Sequence, residues 1–172
     1  MKWDIRSTTN SPDEIINFIA QNGDKFDNFS FNVSYAIDTR DSRSFTRSGF
    51  KTSLGTEVFV PGSDLEYYKV TFFTDSYFLI NKERDIIIRL KGSTKYGQGY
   101  AGQNGLPFYD KFRTGGPKSV RGYKKNSLSP LDSRGNSLGG DFAVTGSAEV
   151  IFKPPLDIKS LRTAFFADFG RA

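Results

Sequence analysis

Apolar and polar residues alternate strictly along several stretches of the chain. In residues 29–38, aromatic and aliphatic side chains at odd positions alternate with small or polar side chains at even positions. A period of two indicates a β-strand with one apolar and one polar face. The same reasoning predicts five further strands, at residues 50–60, 66–80, 86–96, 142–152 and 161–170.

The segments between these strands differ greatly in length. Residues 38–49, 61–64 and 81–85 have the composition of turns. Residues 97–140 are glycine-rich and irregular, and a loop of this length is usually either functional or disordered. One helical signal lies at residues 11–23, where Ser11 as N-cap, Pro12 at the first helical position and Gly23 after the end frame a short amphipathic helix.

The composition favours a membrane β-barrel over a soluble β-sandwich. Only 37% of the 172 residues are hydrophobic, yet 15% are aromatic, and membrane barrels place aromatic side chains in lipid-facing bands. A sandwich would have shorter strands and mainly aliphatic faces. The mean hydropathy of -0.47 fits a barrel because only half of each strand faces lipid. We therefore predict an all-β fold, an antiparallel meander of about six strands that forms part of a transmembrane β-barrel, with one short loop helix.

Composition also excludes several kinds of chemistry. The chain has no Cys and no His, which removes thiol nucleophiles, imidazole bases, Ser-His pairs and the usual zinc ligands. We therefore expect no enzyme activity, no metal and no cofactor. The net charge of +5 is scattered, without the clustered basic face that nucleic-acid binding requires. Asp38, Arg40 and Asp41 are better explained by a hydrogen-bonded turn than by an acid–base pair.

The long loop contains a motif that carries a family resemblance. Residues 106–123, LPFYDKFRTGGPKSVRGY, end in Val120, Arg121, Gly122 and Tyr123. This segment resembles the signature loop of the BamA outer-membrane assembly factors, whose superfamily also contains the transporters of two-partner secretion. The turn at 38–49 and residues 60–70 resemble two further segments of that family. The three segments follow the family's order, and the resemblance covers about residues 25–170.

Arg121 needs partners if the loop is folded inward. Its guanidinium stays charged, so its burial requires carboxylates or many acceptors. Strand alternation places Glu149 and Asp168 on the polar, inward faces of their strands. The resemblance implies the same partners, because in that family the loop folds back into the lumen and its arginine contacts inward carboxylates and an aromatic residue, here matched by Glu149, Asp168 and Phe166. We predict that Arg121 latches the loop inside the barrel.

The approach to the motif is rich in glycine. Gly115, Gly116 and Gly122 would allow the sharp turns that such a latch requires. Residues 114–119, TGGPKS, faintly suggest a phosphate loop. However, the spacing GxxxxGK[ST] is not met, and Pro117 lacks an amide donor. We interpret this segment as loop geometry.

The resemblance implies a function and a location. It implies a bacterial outer-membrane protein that folds and inserts other β-barrel proteins, with unfolded outer-membrane proteins as substrates, accessory outer-membrane lipoproteins as partners and the lipid bilayer as surroundings. A two-partner-secretion-type polypeptide transporter and a passive porin or surface-binding barrel remain alternatives.

Members of this family also have upstream POTRA domains and a barrel of about sixteen strands. Residues 1–172 are therefore expected to be one partial barrel domain, an internal fragment that lacks the POTRA domains and the final barrel strands. Within it, the helix-bearing loop is expected at about 11–23 and the lumen-folding loop at about 97–140.

Overall fold

The computed structural model describes residues 2–5, 11–154 and 161–172. Its main feature is a six-stranded antiparallel sheet in which consecutive strands are neighbours, beside a separate two-stranded sheet and one helix. This confirms the predicted antiparallel meander, and the sheet is open within the described residues. The elements are β1 (Lys2–Asp4), α1 (Asp13–Asn22), β2 (Lys25–Asp27), β3 (Ser30–Asp38), β4 (Gly49–Phe59), β5 (Tyr67–Asn81), β6 (Ile86–Gly99), β7 (Phe142–Phe152) and β8 (Thr163–Arg171).

One face of the main sheet is apolar and exposed. The register makes Tyr35, Leu54 and Phe72 cross-strand neighbours in one row of this face. An exposed apolar face that runs across all six strands suits contact with lipid. Its large exposed side chains are Phe31, Val33, Tyr35 and Ile37 in β3, Phe50 and Leu54 in β4, Phe72 and Phe78 in β5, Leu90 and Tyr96 in β6, Phe142 and Val150 in β7, and Phe165 and Phe169 in β8.

The opposite face, called here the inner face, carries charged and hydroxyl side chains. Strand alternation dictates this arrangement, since residues at odd positions of β4 to β7 and at even positions of β8 share that face. One row across the sheet consists of Asp38, Lys51, Asp75, Lys91, Ser147 and Asp168.

The hydrophobic core lies at one end of the sheet, under the long loop and the helix. Phe18 of α1 packs on Phe26 and on Phe108, with ring centroids 5.6 and 5.3 Å apart. The helix is also tied to the loop, because the Asp13 amide donates to Ser133 Oγ and the Ser133 amide donates to Glu14 Oε2. Burying a large apolar side chain contributes about 1.5–3 kcal/mol, so the hydrophobic core holds the loop and the helix against this end of the sheet. It consists of Phe26, Phe59, Leu65, Tyr67 and Leu106.

The start of the helix differs from the sequence prediction. Pro12 has a ψ of 150° and is the N-cap residue, not the first helical residue. Its carbonyl accepts from the amide of Ile16 at 3.1 Å, which places Ser11 one residue too early to cap. Pro12 itself makes no side-chain cap bond, and the Asp13 amide donates to the Ser133 hydroxyl instead. The other end agrees with expectation, since Gly23 has φ 89° and donates to the Ile19 carbonyl. Within the described ranges, no helix has the length and apolar character needed to cross a membrane.

The strands also differ from the sequence prediction, most of all at the end of β6. Strand β6 continues to Gly99 because residues 97–99 remain paired with residues 67–69 of β5. The irregular loop therefore spans residues 100–141 rather than 97–140. The short strands β1 and β2 were not predicted. Each has three residues, too few for a period of two to be recognised.

Candidate functional site

The loop of residues 100–141 is bonded to the inner face at Asp110, before its tip. Asp110 accepts hydrogen bonds from the Tyr67 hydroxyl and from Lys69 Nζ, both at 2.7 Å. Lys111 Nζ lies 2.7 Å from a carboxylate oxygen of Asp141, and the amides and carbonyls of Phe112 and Gly140 pair across the loop. The bonds of Asp110 attach the loop to β5. The contacts of residues 111–112 with residues 140–141 hold the two ends of the loop together, so the middle of the loop runs along the inner face.

The tip reverses direction through two consecutive glycines. Gly115 and Gly116 have φ values of 113° and 102°, a region that other residues rarely adopt. A Cβ atom at Gly115 would also lie 2.8 Å from the Lys124 carbonyl oxygen. The Gly116 and Val120 amides each bond to the other residue's carbonyl, which closes a tight turn. Gly122, with φ 85°, ends the segment that presents Arg121.

Val120 packs against Gly170 of β8, a position without a side chain. The side chain of Val120 is 2% exposed. A Cβ atom built at Gly170 would lie 2.8 Å from Val120 Cγ2 and 2.9 Å from Thr145 Cγ2. The close approach of the motif to the wall therefore depends on a glycine in β8.

Arg121 forms a fork with Asp168. Its Nε lies 2.7 Å from Oδ2 and its Nη2 lies 2.6 Å from Oδ1, while its backbone amide also donates to Oδ2 at 3.0 Å. Nη2 also lies 2.7 Å from Glu149 Oε1 and donates to Ser147 Oγ at 2.8 Å. Bidentate arginine–carboxylate pairs are among the strongest hydrogen-bonded contacts in proteins. The side chains of Asp168 and Glu149 are 4% and 9% exposed, so these bonds are sheltered from water.

The predicted partners are placed as follows. Phe166 lies under the guanidinium, with Cζ of Arg121 3.5 Å from the ring centroid, a cation–π geometry. Arg121, Glu149, Phe166 and Asp168 are thus brought together, and Val120 packs beside them. Tyr123 is 53% exposed and lies outside this cluster.

Two further charged residues, Arg89 and Asp75, belong to this cluster, although the sequence analysis did not predict them as site residues. Arg89 of β6 bonds to Asp75 of β5 through Nε and Nη2 at 2.7 and 2.9 Å. Its Nη1 donates to Glu149 Oε2 at 3.2 Å, so the two oxygens of Glu149 serve Arg89 and Arg121. A signal existed, because β6 carries cations at positions 89, 91 and 95, and these require opposite charges. Alternation alone cannot say which carboxylate each cation takes.

The resulting charge chain crosses four strands of the wall. It runs from Asp75 through Arg89, Glu149 and Arg121 to Asp168, alternating in sign at each step. The Asp168 carboxylate, with Glu149 beside it, raises the pKa of the Arg121 guanidinium above its already high ordinary value. The charge of Arg121 is therefore fixed at any working pH. Such an arrangement holds a loop in place. Among the described residues, no cluster of carboxylates has the grouping needed for a metal ion.

The chain is similar in sequence to several known proteins. A family model described as the Omp85 superfamily domain matches residues 2–172. The chain is 33% identical over 144 residues to the outer membrane protein assembly factor BamA of Neisseria meningitidis serogroup B, which is 80% of this chain and 18% of that protein. It is 28% identical over 148 residues to a SAM50-like protein of Schizosaccharomyces pombe, covering 82% of this chain and 30% of that protein.

A solved structure shares the fold. The crystal structure of BamA from Haemophilus ducreyi lacking POTRA domains 1–3 superposes with a TM-score of 0.85 at 22% identity, covering 96% of this chain and 36% of that chain. The chain thus spans about a third or less of the length of the relatives that it matches.

Proposed function

We propose that the chain, which belongs to the Omp85 superfamily, forms part of the membrane barrel of a protein that folds and inserts β-barrel proteins into the bacterial outer membrane. Unfolded outer-membrane proteins are then its substrates, and accessory outer-membrane lipoproteins its partners. The observation that carries the proposal is the contact of Arg121 with Asp168 and Glu149 across two strands. This contact lies in a chain whose 33% identical relative is an assembly factor.

In this proposal Arg121 acts by position. Its bonds join the loop to β7 through Glu149 and Ser147 and to β8 through Asp168. Removing the guanidinium leaves Asp168 without its ion-pair partner and Glu149 with Arg89 alone. Because the Arg121 side chain is 32% exposed, the cost lies below the about 3–5 kcal/mol of a fully buried pair. The latch therefore keeps the loop inside the lumen and fixes the two strands relative to each other. It requires no bond-making chemistry, so the function is not that of an enzyme.

Two observations favour assembly over the alternatives. The relatives that the chain matches include BamA assembly factors and a SAM50-like protein, which supports assembly rather than polypeptide secretion. The loop of residues 100–141 lies along the inner face and is fastened to it at Asp110 and Arg121. A loop fastened along the inner face narrows the lumen, which disfavours a wide passive pore.

The test replaces Arg121 in the complete polypeptide that carries this chain, in cells depleted of their own copy. We expect Arg121→Ala to lower the amount of folded outer-membrane barrel proteins and to make the loop more sensitive to protease. Arg134→Ala, at an exposed position of the same loop, is the matched control and is expected to behave as wild type.

Normal barrel-protein levels together with an unchanged protease pattern in Arg121→Ala would sink the proposal. Normal barrel-protein levels with loss of one secreted polypeptide would instead assign the chain to a secretion transporter.

A further inference from the structure

A cationic cavity lies between the loop and the inner face. It has a volume of about 150 Å³, and its lining includes four cations, Lys91 and Lys95 from β6 and Arg113 and Lys118 from the loop. The remaining polar lining consists of serine and threonine hydroxyls, and none of the lining residues is acidic. Cations from two separate parts of the chain thus converge on one space.

The neighbouring carboxylates are already bonded to other groups. Asp75 lies opposite Lys91 in the register, but both of its oxygens accept from Arg89. Asp110 is occupied by Tyr67 and Lys69. Across residues 11–154 and 161–172, no carboxylate lies within ion-pair distance of Lys91, Lys95 or Lys118.

Aromatic rings and hydroxyls replace the missing carboxylates only in part. Lys91 Nζ lies 6.0 Å from the Phe73 ring centroid, and Lys95 Nζ lies 5.8 Å from that of Phe112. Such contacts leave the ammonium donors free for an anion. A concave site lined by charges of one sign concentrates ions of the opposite sign.

The backbone of the TGGPKS segment does not supply the donors. The Gly115 amide donates to Ser119 Oγ, and the Gly116 amide donates to the Val120 carbonyl. The segment is therefore not a phosphate loop, as its spacing indicated. The side chains of this segment do contribute to the cavity, because Thr114, Lys118 and Ser119 all line it.

We propose that this cavity binds a phosphate-type oxyanion, held by the lysine and arginine side chains of wall and loop. The volume corresponds to roughly five water molecules at liquid density, which accommodates one tetrahedral phosphate group with bound water. Free inorganic phosphate and the phosphate of a lipid headgroup offer the same chemistry. The bound anion ties Lys118 of the loop to Lys91 and Lys95 of β6, a second attachment point independent of Arg121. Arg113 adds its charge, while its Nε and Nη2 donate to the carbonyls of Ser137 and Phe108.

The test uses the complete polypeptide purified in a phosphate-free maltoside detergent, with inorganic phosphate as the probe in isothermal titration calorimetry. The variant Lys91→Gln/Lys118→Gln removes one cation from each side of the cavity. The matched control Lys124→Gln/Lys125→Gln removes the same charge from exposed positions of the same loop that do not line it. Identical circular dichroism spectra establish that the proteins compared are folded. If the first variant fails to fold, Lys118→Gln alone replaces it.

We expect saturable binding to wild type that weakens by about tenfold or more in Lys91→Gln/Lys118→Gln, since bonds to charged groups are strong, and changes by less than about twofold in the control. A second arm adds phosphatidylglycerol to the micelles before the titration. Competition assigns the site to a lipid headgroup phosphate, and its absence assigns the site to the free anion. Absence of saturable binding in both arms, or equal weakening in the two double variants, overturns the proposal.

Discussion

Two carboxylates, a hydroxyl and an aromatic ring surround the guanidinium of Arg121. A solvated loop arginine has no such fixed set of partners, and exposed ion pairs contribute little. Here both carboxylates are sheltered and the arginine charge is permanent. Alkaline conditions therefore do not release the loop through loss of the Arg121 proton.

Gly170 allows a residue-scale test of how closely the motif must approach the wall. Because its Cβ would meet Val120 Cγ2 at 2.8 Å, we expect Gly170→Ala to destabilise the loop-docked state by about 1–3 kcal/mol, the range for overpacking. The control is Gly92→Ala, where the added Cβ would meet Thr74 Cγ2 at an ordinary 3.6 Å. Urea unfolding in detergent and limited proteolysis of the loop measure the effect. Equal behaviour of the two variants would mean that Val120 is not tightly seated.

Individual site residues were predictable to different degrees. Glu149 and Asp168 follow from strand alternation, which assigns a residue to a face whatever the loop does. Alternation also places Arg89 and Asp75 on the inner face, but their bonds depend on the register between β5, β6 and β7, which a sequence pattern does not contain. The exposure of Tyr123 depends on the loop path after Gly122, which no periodicity describes.

At the scale of elements, Glu149 links three parts of the structure. Its side chain on β7 accepts from Arg89 of β6 and from Arg121 of the loop. Residues that share a buried partner do not act independently, so the two arginines are expected to be coupled although they do not bond to each other.

A double-mutant cycle measures this coupling. We expect Arg89→Ala and Arg121→Ala to combine with a deviation from additivity of about 0.5–3 kcal/mol in the free energy of unfolding. The control cycle pairs Arg121→Ala with Arg47→Ala, whose partner Asp85 lies outside the loop, and should be additive within about 0.5 kcal/mol. An additive Arg89–Arg121 cycle would show that Glu149 does not transmit the interaction.

The long strands were predicted within a few residues because most carry a clear alternation, which is less regular only at residues 66–80. Sequence pattern fails where pairing continues without it, as at residues 97–99, which are glycine and glutamine and carry no apolar marker. The helix start was misplaced by one residue, since a proline suits both the cap and the first turn and only its ψ value distinguishes the two.

For the whole molecule, the dominant feature is an exposed apolar face on a sheet whose edge strands are β3 and β8. Such a face and such edges promote association in water. We expect the 172-residue chain, expressed alone, to aggregate in aqueous buffer and to retain a β-rich circular dichroism spectrum in detergent micelles. Light scattering and circular dichroism check both expectations, and a monodisperse chain in detergent-free buffer would contradict them.

The position of the latch also sets an order in time. Asp168 and Glu149 become neighbours of one loop only after β7 and β8 have paired, and both strands follow the loop in the sequence. The loop therefore emerges first and can attach to β5 through Asp110, but its tip has no docking site until the later hairpin is complete. Seating of Arg121 is thus a late event that marks the completion of this part of the wall, and a chain halted before β8 would leave the loop without its main anchor.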